Sequence, residues 1–366
     1  MKKKNYRILK WVSSVLAVIL ILIVSLFFWI KSLVPPRVIG LEESQVENLA
    51  YLTDTIPENR GKILAIVTST SMMGQQNEKT GYELSELARA YCVFKANGFD
   101  VDIASPLGGK SPVIIDDEDM GPYDYAFLND PEAQSKTSNT LKLETVIAEN
   151  YEALFFVGGK GAMFDFPNNQ KIQSLVRDYY QSNKVIGAVC HGPAALVNVT
   201  LDDGTSVLQN KTVSGFTNKE ELLLIPDAKN LFPFLLQDKL IAAGARFNEG
   251  PMYLETMSHD TNLITGQNPW SVWVMAEAMI KQLGYTPKYR PITDEENAVK
   301  ALMIYEEEGL NKAKEFIKET LQEKQEPISR LLIAKHSIMA AMQGKIAGFT
   351  NILSLASYTK TLEASS

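Results

Sequence analysis

Cysteine and histidine are scarce in this 366-residue chain, which has two of the first (Cys92 and Cys190) and three of the second (His191, His259 and His336). Two thiols do not make a disulfide framework, so the fold must be held by its own core, which a domain of this size can supply. Cys92 lies in a helical pattern and reads as core packing rather than as a disulfide partner. His259 and His336 lack the spacing of a zinc site, and no metal is expected. Cations are also in deficit: 36 Lys and Arg against 43 Asp and Glu give a formal net charge of −7. That balance argues against a nucleic-acid partner.

Long charge-free runs are rare too, with one exception. Residues 11–30 carry no charge, follow a basic flank (Lys2, Lys3, Lys4, Arg7, Lys10) and have Trp11 and Trp29 at their ends. Twenty residues make about 30 Å of helix, the thickness of a bilayer's hydrocarbon layer. The pattern is longer than a signal-peptide core and has no cleavage-site residues after it. It predicts an uncleaved single-pass membrane anchor with residues 1–10 cytoplasmic and the catalytic domain extracytoplasmic. Residues 31–60, with Pro35-Pro36 and a polar run, read as a stalk.

From Lys62 onward the pattern changes. Ile63-Leu64-Ala65-Ile66-Val67, Val101-Asp102-Ile103-Ala104 and Ala153-Leu154-Phe155-Phe156-Val157 are short strand-like runs, separated by helical stretches at 82–97 and 169–182. Further strands are expected at 211–216 and 262–265, with helices around 232–243 and over 270–283. Strands without polar alternation, interleaved with helices, predict an α/β fold: a mostly parallel sheet with helices on both faces. Residues 61–288 therefore form the expected catalytic domain. From about 289 the chain becomes highly charged with helical spacing, is interrupted at Pro327, and resumes as a more apolar stretch over 328–355. A C-terminal helical hairpin over 289–366 is expected, as a single repeat, a packing brace or a docking surface for an unidentified protein partner, and the sequence does not choose among them.

The most telling stretch is Val185-Ile186-Gly187-Ala188-Val189-Cys190-His191-Gly192-Pro193. An apolar strand that stops at Cys-His-Gly-Pro forces a tight turn, presenting the thiol at the carboxyl edge of the sheet, where such folds place their sites. A helix starting there would direct free N–H groups at the sulfur and favour thiolate.

Seven separated segments carry a resemblance: Thr80-Gly81-Tyr82-Glu83-Leu84-Ser85-Glu86-Leu87, the run from Gly98 to Pro106, Asn129-Asp130-Pro131, Gly158-Gly159-Lys160-Gly161 and its continuation to Asp165, Ala188-Val189-Cys190-His191-Gly192-Pro193, Ser214-Gly215-Phe216-Thr217-Asn218 and Thr265-Gly266-Gln267-Asn268-Pro269. In this order they resemble the ThiJ/PfpI superfamily, with its class I glutamine amidotransferase-like fold, and above all its heat-shock chaperone and glyoxalase III branch. The resemblance covers about residues 60–285. It implies a flavodoxin-like sandwich and a cysteine nucleophile acting on small carbonyl compounds without metal, glutathione or other cofactor. Cys190 matches the family nucleophile, His191 the histidine after it, and Glu86 the acid against the thiol. The third, acidic member falls at Glu220 or Glu221, with register favouring Glu221. Gly159 and Lys160 would serve the oxyanion and substrate; Lys160 stands where many members have His.

These matches imply glyoxalase III-like or deglycase chemistry on 2-oxoaldehydes. The alternatives are amide hydrolysis, as in peptidases and glutamine amidotransferases of the superfamily, and a membrane-tethered chaperone or redox sensor. The chain lacks the late His-x-Glu of the amidotransferases. A homodimer is compatible with the family.

Overall fold

The computed structural model describes residues 11, 17–18, 20–21, 24–25, 28–36, 38–74, 78–117 and 120–364. They fall into two compact units: Val38–Pro291, and the residues before 38 together with those from 292.

The larger unit is built on a seven-stranded sheet. Its strands are β1 (Lys62–Ile66), β2 (Asp100–Ser105), β3 (Leu141–Lys142), β4 (Ala153–Phe156), β5 (Val185–Val189), β6 (Met257–Asp260) and β7 (Leu263–Gly266). The spatial order is β6-β7-β5-β4-β1-β2-β3. Every neighbouring pair is parallel except β6 with β7. The register sets Leu64 beside Asp102 and Leu154, and Phe155 beside Gly187. All four residues of β4 and all five of β5 are buried, because helices cover both faces of these central strands. Helix α1 (Leu84–Ala96) buries twelve of its thirteen residues, and α2 (Gln170–Gln181) buries a stripe of Ile172, Leu175, Val176 and Tyr179. Helix α3 (Asn218–Leu224) is closed at its start by a Thr217–Glu220 capping box, and α4 (Val272–Gln282) packs Met279 over Gly187. Each fully buried Leu, Ile or Phe contributes about 1.5–3 kcal/mol, so this core needs no cross-links.

Three expectations change in detail. The segment after Cys190 is a four-residue 3-10 turn, Gly192–Ala195, rather than a helix. Pro193 can start a turn there, but so short an element has little macrodipole to lower a thiol's pKa. Residues 38–60, which the composition suggests as a stalk, include helical turns in the larger unit; Tyr51 is buried and accepts a bond from Asn97 Nδ2 at 3.4 Å. The C-terminal region has four α-helices in place of a hairpin: α5 (Asp294–Glu308), α6 (Leu310–Lys318), α7 (Arg330–Met342) and α8 (Ile346–Glu363). Gly309 and Gly344, at φ 89° and 72°, break each expected long helix in two.

The expected membrane anchor and extracytoplasmic placement are overturned. A span needs about 20 consecutive apolar residues in one helix, and among the described residues no helix is long and apolar enough to cross a membrane. Of residues 11–30, positions 12–16, 19, 22–23 and 26–27 lie outside the described residues. The end of the same stretch belongs to the C-terminal unit: residues 28–33 are helical, Leu33 is 1 % exposed, and Arg330 donates to its carbonyl at 3.2 Å.

Close packing at two glycines yields a test. A Cβ on Gly158 would lie 2.5 Å from Glu86 Oε2, 2.6 Å from the Val189 carbonyl and 2.8 Å from Cys190 Cβ. On Gly187 it would meet the flexible thioether of Met279. Gly158→Ala should destabilise the fold by about 1–3 kcal/mol, and Gly187→Ala by less, since Met279 can re-pack. Thermal melts of the two variants check the order.

Candidate active site

Strand β5 ends at Cys190, whose φ of 57° lies in the left-handed region that β-substituted residues avoid. The surroundings enforce it: Cys190 N donates to the Gly266 carbonyl at 2.9 Å, and Phe216 N donates to the Cys190 carbonyl at 2.8 Å. A strained residue pinned on both sides turns its side chain out of the sheet, here into a cavity of about 330 Å³.

Four of the six expected site residues make a connected set with the sulfur. Cys190 Sγ lies 3.3 Å from His191 Nδ1, and His191 Nε2 lies 2.6 Å from Glu221 Oε2. The ring of His191 is tilted against Phe216 with centroids 4.6 Å apart, which fixes its plane. Glu86 comes from the first turn of α1 and is fully buried. Its Oε2 accepts from Gly158 N at 2.8 Å, and its carboxyl interacts with the Cys190 thiol. Gly159 directs its backbone N–H at the same sulfur. At φ 92° it also approaches the Gly81 carbonyl too closely to carry a side chain. Lys160 follows it and lines the cavity.

Geometry also separates the two neighbouring glutamates. Glu220 faces away from His191: Oε2 accepts from Thr217 N and Oγ1 at 3.0 and 2.8 Å, and Oε1 from Tyr253 N, Gln267 Nε2 and Asn268 Nδ2 at 2.7, 3.1 and 3.1 Å. It ties three loops together under the site. The next residue, Glu221, is the one turned towards the imidazole, because successive helical positions point about 100° apart.

Burial dominates the electrostatics. It raises the Glu86 carboxyl well above the ordinary carboxylate range, and the nearby Glu83 adds to the effect. The Cys190 thiol is likewise pushed up by burial and then by Glu86, the reverse of the depression expected from a helix start. Two buried acids in contact resist double ionisation, so their titrations are coupled and both are held above their ordinary ranges.

Some neighbours gave no recognisable signal in sequence. Arg89, one turn beyond Glu86, is buried, donates to Asp124 at 3.2 Å, and stands 5.0 Å from the Trp270 ring centroid. Asp165 accepts from Thr68 Oγ1 at 2.8 Å and Ser69 N at 2.7 Å, fastening the loop after β1 beside the Gly158–Gly161 turn. Phe216, Tyr253 and Trp270 wall the cavity. Among the described residues no group of three or more His, Cys, Asp or Glu is arranged to hold a metal.

A strand-end cysteine in a strained turn, beside a histidine and a buried carboxyl on a parallel α/β sheet, defines a class of cysteine-elbow enzymes. The family model described as DJ-1/PfpI matches residues 78–282, and the chain belongs to this family. A glutathione-independent glyoxalase of Schizosaccharomyces pombe (hsp3102) is 30% identical over 232 residues, 60% of this chain and 97% of that protein. Among solved structures, Rapid Encystment Protein 24 KDa of Francisella tularensis is 38% identical, covers 61% of this chain and 99% of its own, and superposes with a TM-score of 0.58. Glyoxalase III of Candida albicans is 25% identical, covers 62% of this chain and 98% of its own, with a TM-score of 0.55.

Two outcomes are expected from this geometry. Replacing Glu86 by Gln removes the charge that holds the thiol up, so the midpoint of Cys190 alkylation by iodoacetamide should move to lower pH than in the parent protein. An unchanged or higher midpoint contradicts the coupling. Asp165 is raised by burial from 3.8 to about 6. Between those values the folded state holds a proton that the unfolded chain has lost, so this group's contribution makes stability fall as pH rises through the window. In Asp165→Asn that part of the slope should vanish, as read from melting temperatures at closely spaced pH.

Proposed function

We propose that the chain is a glutathione-independent, glyoxalase III-like enzyme that converts 2-oxoaldehydes such as methylglyoxal into 2-hydroxy acids, with residues 61–288 as the catalytic domain. The observation that carries this reading is the buried contact of Glu86 with the elbow thiol of Cys190, beside a His191–Glu221 pair. The names of the relatives point the same way.

The mechanism follows from those contacts. As substrate enters, the Cys190 proton passes to Glu86, and the sulfur adds to the aldehyde carbon. The C–S bond forms and the carbonyl electron pair moves to oxygen, which the Gly159 N–H and its neighbours stabilise. Glu86 returns the proton to that oxygen, giving a hemithioacetal. Now a carboxylate again, Glu86 takes the hydrogen of the first carbon, and the freed electron pair moves towards the ketone oxygen. Glu86 then delivers the proton to the second carbon, while the hydroxyl proton moves from the first oxygen to the second. The first carbon is thereby oxidised and the second reduced, with no external electron carrier. His191, held at its other nitrogen by Glu221, activates water, which attacks the thioester. The C–S bond breaks, and the hydroxy acid leaves with the thiol restored.

The test uses purified protein, methylglyoxal and no glutathione. Lactate should form, and Cys190→Ser should lower kcat by about 100-fold or more while its circular dichroism spectrum stays that of the parent. Full activity in that variant refutes the reading, as does a parent protein that turns over no 2-oxoaldehyde.

A further inference from the structure

The cavity is larger and more highly charged than a neutral three-carbon oxoaldehyde needs. Its volume of about 330 Å³ falls within the roughly 300–1,000 Å³ of pockets that enclose drug-sized ligands. Cys190, His191 and Glu86 occupy the buried end, and Lys79 and Lys160 line the same cavity with more solvent access. Among the described residues neither ammonium group makes an ion pair, hydrogen bond or ring contact. Arg89 differs, being engaged with Asp124 and stacked near Trp270. Glu83 and Asp116 also line the cavity and have partners of their own.

Placement makes Lys160 the more informative of the two lysines. It comes one residue after Gly159, whose N–H points at the Cys190 sulfur and whose left-handed backbone is locked against Gly81. Its Cα is therefore about 3.8 Å along the chain from a position fixed relative to the reacting carbon. A flexible stem from that point carries a compact positive charge within the cavity, suited to a carboxylate or phosphate. The aromatic walls lower the local dielectric and strengthen such a pairing.

Resting on the glyoxalase reading, we propose that the preferred substrate is an anionic 2-oxoaldehyde, its carboxylate or phosphate a short chain away from the dicarbonyl, and that Lys160, assisted by Lys79, is the specificity-determining residue. The dicarbonyl lies at Cys190 and Glu86, the connecting carbons against Phe216 and Tyr253, and the anion at the lysines.

Three substrates test this: methylglyoxal, a five-carbon 2-oxoaldehyde ending in a carboxylate, and a three-carbon 2-oxoaldehyde bearing a phosphate ester. At low salt at least one anionic substrate should have a higher kcat/KM than methylglyoxal, and the better of the two identifies the anion. Rising ionic strength should erode that advantage and leave methylglyoxal nearly unaffected. Lys160→Met should lower the anionic-to-neutral ratio of kcat/KM by about tenfold or more, with Lys160→Arg retaining most of it. Should Lys160→Met fail to fold, the salt dependence of the parent protein decides. Turnover of methylglyoxal with no anionic preference, or a ratio unmoved by Lys160→Met, overturns the charge inference alone. Turnover of none of the three overturns the glyoxalase reading on which it rests.

Discussion

The structure turns on one contact, the buried approach of the Glu86 carboxyl to the Cys190 thiol at the inner end of the cavity. It requires a helix start, a strand end and a bare glycine to meet within about one methyl group's space. Glu86 is brought by the first turn of α1, Cys190 by the end of β5, and Gly158 by the turn after β4, whose N–H bonds the carboxyl at 2.8 Å. Burial and mutual repulsion push the ionisation of both groups up. In the mechanism we propose, this one carboxyl serves as acid and base in successive steps on adjacent carbons.

The surrounding architecture maintains that contact. The parallel register of β1, β4 and β5 places the strand-end turns on one edge of the sheet. Glu220 fixes three loops through its capping box and side-chain bonds, leaving Glu221 to orient the imidazole. Adjacent glutamates on one helix thus serve separate ends, one holding loops and the other a histidine.

The central strands and the elbow were readable in the sequence because both depend on local patterns: unbroken apolar runs, and a Cys-His-Gly-Pro turn that few core segments would tolerate. The antiparallel edge strand Met257–Asp260 was not, since an edge residue such as His259 carries no apolar signature. The pairings of Arg89 and Asp165 are illegible for another reason; their partners Asp124 and Thr68 lie far away in sequence, and only the closed fold brings them together. The direction of the Cys190 shift is not legible locally, because a 3-10 turn and a helix start look alike in Gly-Pro-Ala-Ala, while burial is a property of the whole molecule. Likewise, the charge-free run at 11–30 matches a bilayer span in length and composition alone, whereas the described residues contain no membrane-crossing helix.

The site draws its walls from residues as far apart as Met73 and Trp270, and its sulfur is perturbed only by groups that arrive with the finished sheet. A chain still emerging from synthesis, or partly melted, carries Cys190 as an ordinary thiol, away from Glu86 and the cavity walls. Burial and Glu86 push the ionisation of this thiol up once the sheet closes, so it is the finished fold, and not the nascent chain, that makes the cysteine less open to stray electrophiles than an unstructured peptide.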